Sequence, residues 1–153
     1  MRLLKLAPLV VPAFFATLTA ADFHIFNCYH SYGLPNYDPT SGGQGDNSGL
    51  DAVAVAVPSN QYSCDGARYN PEIQGINGFV NWGTSYFNVQ GLCGMDDLDF
   101  YWDGNGFNMY EGGGDGSVIG TCYQGSSQDM SCPAAFDELD CSDDWICYSW
   151  VCS

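Results

Sequence analysis

The clearest hydrophobic pattern in the chain is "LDAVAVAV", Leu50 to Val57. Val53, Val55 and Val57 fall on one face of an extended segment. Ala52, Ala54 and Ala56 fall on the other. A branched face backed by a small-residue face predicts a strand covered on both sides, ended by Pro58. A second alternation runs through "DLDFYWDGNGFNMYEGGGDG", Asp97 to Gly116. Leu98, Phe100 and Trp102 alternate with Asp97, Asp99 and Tyr101. A turn around Gly104 and Asn105 leads to a return strand over Phe107 to Glu111.

Weaker patterns fill in the rest. "DFHIFNCY", Asp22 to Tyr29, predicts a strand, and "SVIGTCY", Ser117 to Tyr123, another. Gly78 to Val89 reads as one or two strands broken near Gly83. Gly33 to Gly49 is rich in turn formers and predicts a long loop. The one helical candidate is "PAAFDEL", Pro133 to Leu139, where a proline precedes two alanines. Many short strands divided by Gly and Asn turns predict an all-β fold. It is an antiparallel β-sandwich or small β-barrel with at most one short helix near the C-terminus.

The first residues change the picture of where the chain works. Arg2 and Lys5 precede an apolar run from Leu6 to Phe15, and Thr19-Ala20-Ala21 supplies small residues for cleavage. Residues 1–21 therefore read as a cleaved secretory signal, and 22–153 as one disulfide-rich β domain. Pro8 and Pro12 and the short run argue against a membrane anchor. A secreted, extracellular protein without membrane insertion is expected.

The eight cysteines are Cys28, Cys64, Cys93, Cys122, Cys132, Cys141, Cys147 and Cys152. An even number in an exported chain predicts four disulfides, with 105 pairings open. Four of them crowd into "CPAAFDELDCSDDWICYSWVC". A segment that short cannot bury a core, so bridges should pin it to the main body. There is no C-x-x-C knuckle for zinc, and no Asn-x-Ser/Thr sequon after the signal.

Charge excludes one partner class. The chain holds three Lys or Arg and 18 Asp or Glu. Signal cleavage removes Arg2 and Lys5 and leaves Arg68 as the one Lys or Arg. Such a chain cannot neutralise a run of phosphates, so nucleic acid is not expected. A basic protein or a neutral glycan remains open as a partner.

Candidate chemistry is sparse. Counted from Asp97, an EF-hand loop has Asp99 at its third position but Tyr101 at its fifth. Counted from Asp99, it fails at its third position. A calcium site outside that motif, built from Asp96, Asp97, Asp99 and Asp103, is the remaining metal candidate. No metal or other cofactor is expected. His24, His30, Arg68 and Glu72 offer the groups of an acid-base ribonuclease, against the shortage of cations. Neither a G-x-S-x-G elbow nor an H-E-x-x-H pair is present. No catalytic residues are assigned. Asp97, Asp99, Tyr101, Asp103 and Asn105 form the candidate interaction surface on the outer side of the predicted hairpin. Trp82, Tyr86, Tyr101, Trp102, Trp145 and Trp150 are candidates for stacking on sugars, with core filling as the alternative for most.

The short signal, the acidic Gly-rich β pattern, the eight cysteines and "GSVIGTCY" together carry a resemblance. The chain resembles the small secreted cysteine-rich effectors and elicitors of plant-pathogenic ascomycete fungi, among them the hypersensitive-response-inducing elicitors of the rice blast fungus. That resemblance implies a non-enzymatic protein. It would trigger plant cell death and defence by recognition at an unknown plant surface or extracellular component. Two alternatives stand beside it: an extracellular carbohydrate-binding protein and a small secreted hydrolase.

Overall fold

A computed structural model describes residues 22–37, 44–134 and 137–152. The expected signal, residues 1–21, lies outside the described residues. Among the described residues, eight strands form one antiparallel sheet: β1 (Phe23–Tyr37), β2 (Gln44–Pro58), β3 (Ile73–Gln74), β4 (Tyr86–Val89), β5 (Leu98–Trp102), β6 (Phe107–Glu111), β7 (Val118–Cys132) and β8 (Asp137–Ser149). Their order is β2-β1-β8-β7-β6-β5-β4-β3. The two ends of that order nearly meet. Val55 of β2 bridges Glu72, and Ala56 N donates to Pro71 O at 3.1 Å. The sheet is therefore a nearly closed small barrel, which removes most of the exposed edge of an open sheet.

The valine and alanine faces of β2 meet different surroundings. Ala54 and Ala56 face the barrel interior with Phe23, Ile25, Phe87, Phe100 and Trp145. Val55 and Val57 face outward against Phe26, Leu139 and the helix residue Ala67. The helix α1 (Cys64–Tyr69) is capped by the Ser63 hydroxyl, which accepts from Gly66 N at 3.1 Å. Small side chains inside and branched ones under the helix are what a strand covered on both sides requires.

The acidic stretch forms the expected hairpin. Leu98, Phe100 and Trp102 pair with Glu111, Met109 and Phe107. Leu98 and Phe100 are fully buried, and Trp102 is half-buried at the barrel mouth. Asp103 closes the turn, its Oδ1 accepting from Asn105 N at 2.9 Å and Gly106 N at 3.0 Å.

Several expectations need correction. The predicted loop at 33–49 is entered from both sides by strand, since β1 pairs with β2 out to Tyr37 and Gln44. Only its middle, 38–43, lies outside the described residues. Residues 78–85 are an irregular loop rather than strand, and pairing starts at Tyr86. The α-helix is at Cys64–Tyr69. Residues 137–139 of the expected C-terminal helix belong to β8, which runs through the middle of the sheet. Alternation of Leu139, Cys141, Trp145 and Cys147 outweighs the helix cue of two alanines after a proline.

Four disulfides join Cys28–Cys141, Cys64–Cys132, Cys93–Cys152 and Cys122–Cys147. Each bridge takes one cysteine from the crowded C-terminal stretch and one from the main body, as expected. Four such bridges are consistent with an extracellular protein. Among the described residues, no helix is long and apolar enough to cross a membrane.

Candidate functional site

The barrel opens at one end because β8 carries a bulge. Ile25 pairs with Trp145, but the next residue, Phe26, pairs with Asp143. The extra residue, Asp144, turns the odd-numbered side chains of β8 from one face of the sheet to the other. Trp145 and Cys147 belong to the barrel interior, whereas Cys141 and Leu139 pack on the helix side. β7 bulges at the same level, between Gln124 and Gln128. Gly125 sits there because a Cβ would lie 2.6 Å from the carbonyl oxygen of Asp143. Ser127 takes a φ of 51°.

Beyond the bulge, the face that was barrel interior continues as an open groove whose walls are mostly apolar, with carboxylates set among them. Its floor holds Asn27 opposite Ser142, Tyr29 opposite Asp140, and Asp129 opposite Ser142 on the next strand. The first section has a volume of about 390 Å³ and runs between Tyr29, Phe79, Asp129 and Asp140. A second of about 250 Å³ runs past Asn81, Trp82 and Gln124. The two sections share Asn27, Phe79 and Asp144 and so lie side by side.

Asn27 sets the wall of the groove. Its Oδ1 accepts from Val80 N at 2.9 Å, and its Nδ2 donates to Val80 O at 2.8 Å. One side chain thus imitates a strand partner and fixes the loop 78–85 across the barrel mouth. Asn27 Nδ2 also lies 2.5 Å from Asp144 Oδ2, and Ser142 Oγ donates to Asp144 Oδ1 at 2.8 Å. Trp145 Nε1 adds a bond to Val80 O at 3.1 Å. The Asp144 carboxylate is consequently held in one orientation on the groove floor.

Two aromatic side chains are held but exposed along the groove. Tyr29 is 51% exposed and meets Phe79 edge-on at 4.8 Å between ring centroids. Trp82 is 54% exposed and packs edge-on against Trp102 at 5.2 Å and near Trp145 at 5.4 Å. Of the aromatics weighed from sequence, Trp145 is core, Trp102 is half-buried, and Trp82 and Trp150 are exposed. Tyr29, Phe79, Asp129, Asp140 and Asp144 were not legible as a group. They come from three strands and a loop, brought together by the bulge.

The hairpin surface suggested by sequence lies on another side of the barrel. Tyr101 is exposed between Tyr86 at 5.0 Å and Tyr110 at 5.7 Å, a row of three rings across β4, β5 and β6. Tyr86 donates to Asp99 Oδ1 at 2.7 Å. That bond, with burial and the charges of Asp99 and Asp97 and the neighbouring Tyr101 adding to it, pushes the Tyr86 phenol up to about 12. Asn88 donates to Asp97 and to Asp99. Asp97 and Asp99 are thus tied down within the sheet, Asp103 serves its own turn, and Asn105 is exposed at the tip. Among the described residues, no three His, Cys, Asp or Glu side chains converge as a metal site, Asp96, Asp97, Asp99 and Asp103 included.

Several other titratable groups serve the scaffold. His24 Nδ1 lies 2.9 Å from the buried Asp143, and the Tyr62 hydroxyl donates to the same oxygen at 3.3 Å. Burial, then the charge and hydrogen bond of Asp143, raise the Tyr62 phenol. His30 Nε2 and Arg68 Nη1 each lie 2.9 Å from Asp137. Burial pushes Asp137 up, but these two partners outweigh it and hold its carboxyl below the usual value. The structure therefore brings His30 and Arg68 together, while His24 pairs elsewhere and Glu72 lies at the barrel seam.

No known protein family, curated protein or solved structure matches the chain.

Proposed function

We propose that this is a secreted, non-enzymatic recognition protein, an effector or elicitor that acts by binding at a plant surface and triggers cell death and defence. The binding half of this reading is carried by one observation. Two exposed rings, Tyr29 and Trp82, each packed edge-on against another aromatic, line adjoining sections of a groove in a disulfide-stapled barrel. Large exposed aromatics held by their neighbours lose little side-chain entropy on contact, which is how rigid recognition surfaces gain affinity. The biological half rests on the resemblance to small cysteine-rich fungal elicitors. The strong excess of acids over cations supports a partner other than nucleic acid.

The test is infiltration of the purified, oxidised protein into leaves. Local cell death and induction of defence markers are expected. Leaves that respond no more than to buffer, at concentrations where the protein is folded, overturn the reading.

A further inference from the structure

We infer that the groove from Tyr29 to Trp82 is a binding site for a neutral oligosaccharide chain. The inference deepens the binding reading above and rests on it for the groove's role. A pyranose ring has an apolar face of C–H groups and a rim of hydroxyl donors. The groove is complementary to both. Tyr29 and Trp82 are each more than half exposed toward its two ends and braced edge-on by another aromatic. Between them the floor offers the oriented Asp144 carboxylate, Asp129 and Asp140. Carboxylates accept hydrogen bonds from hydroxyls and gain strength from the charge. The two sections, about 390 and about 250 Å³, place the groove in the size range of small-molecule sites.

Charge and topology select against anionic sugars and against peptides. The groove lining contains no Lys, Arg or His, so nothing in it neutralises an anionic sugar. An extended peptide commonly binds by adding a strand to a free sheet edge. The groove lies over the face of β1, β8 and β7; β7 pairs with β6 only from Val118 to Cys122, and a peptide strand added to its remaining edge would extend the sheet sideways rather than fill the groove. A proline-rich peptide presents backbone carbonyls that need donors. Beside the carboxylates of Asp129, Asp140 and Asp144 such carbonyls are disfavoured, and the Trp145 indole N–H is already committed to Val80.

Titration calorimetry on the full-length oxidised protein tests this with six defined probes. Three are neutral: cellohexaose, xylohexaose and mannohexaose. The others are the cationic glucosamine hexamer, hexagalacturonate and a proline-rich decapeptide. At least one neutral hexasaccharide should bind, with affinity little changed between about 0.05 and 0.5 M salt, as an interaction without ion pairing requires. Trp82→Ala and Tyr29→Ala should each weaken it by about tenfold while retaining the near-ultraviolet dichroism of the fold. The inference is overturned if no neutral probe binds, if only the glucosamine hexamer or the peptide binds, or if both folded variants bind as the parent does. Sugar binding without a leaf response would overturn the elicitor reading and leave this site standing. A leaf response without sugar binding would do the reverse.

Discussion

Tyr86 is the residue that best separates the outer face of the hairpin from ordinary exposed surface. Its phenol donates to Asp99, and that bond is the largest cause of its rise to about 12. Asp99→Asn should bring its spectrophotometric titration back toward 10.0. An unchanged titration would mean that the bond does not form in solution. A raised phenol contributes stability fully below its unfolded value near 10, and the contribution is lost as pH rises through the folded value near 12. The group is largely exposed, so solvent screens the effect and no large stability change is expected. Sequence showed that Asp99 and Tyr101 face outward. It did not show that Asp97 and Asp99 are engaged by Asn88 and Tyr86, because those partners come from β4, a neighbour fixed only by folding.

Hairpins were the most legible elements. The alternation of Leu98, Phe100 and Trp102 and the Gly-Asn-Gly turn placed β5 and β6, because period and turn chemistry agree there. Gly106 shows how tight that turn is. A Cβ at this position would lie 2.0 Å from the carbonyl oxygen of Cys122 on β7, so backbone must shift to admit it. Gly106→Ala should cost about 1–3 kcal/mol in denaturant unfolding, the usual range for overpacking against fixed neighbours. Gly104→Ala in the same turn meets no neighbouring atom but has a φ of 106°, so its cost arises from backbone strain alone. An unchanged midpoint for Gly106→Ala would contradict the close approach of the turn to β7. The helix at Cys64–Tyr69 had a signal that sequence reading missed: Ser63 as cap, Asp65 in the first turn and Arg68 in the last. The β8 bulge had none. A single added residue, Asp144, leaves no periodic trace, yet it opens the barrel into the groove. The groove was illegible for that reason.

For the whole molecule, the C-terminal strand is the keystone, and every disulfide reaches its cysteine-rich stretch. Cys28–Cys141 and Cys122–Cys147 both join β8 to a directly paired neighbour, at partners in register. They differ in the chain they enclose, with separations of 113 and 25 residues. On the loop-entropy account, the longer loop restrains the unfolded chain more. The double variant Cys28→Ala/Cys141→Ala should therefore lose roughly 1 kcal/mol more stability than Cys122→Ala/Cys147→Ala. Equal losses in denaturant titrations would place the stabilisation in native packing instead. The even cysteine count and the need to anchor the tail were both visible in the sequence. The pairing was not, since it depends on which strands flank β8.

The same rigid scaffold presents the groove, and under the proposed function this groove carries the biological response. The most direct measurement is a dose-matched leaf infiltration of the parent protein and the folded Trp82→Ala variant. Trp82 lies outside the disulfides and the buried core, so its loss should leave the barrel intact. The parent should cause cell death, and the variant a response reduced by about tenfold in potency, in line with the loss of one major contact. A folded variant as potent as the parent, or a parent without effect, would contradict the proposed function.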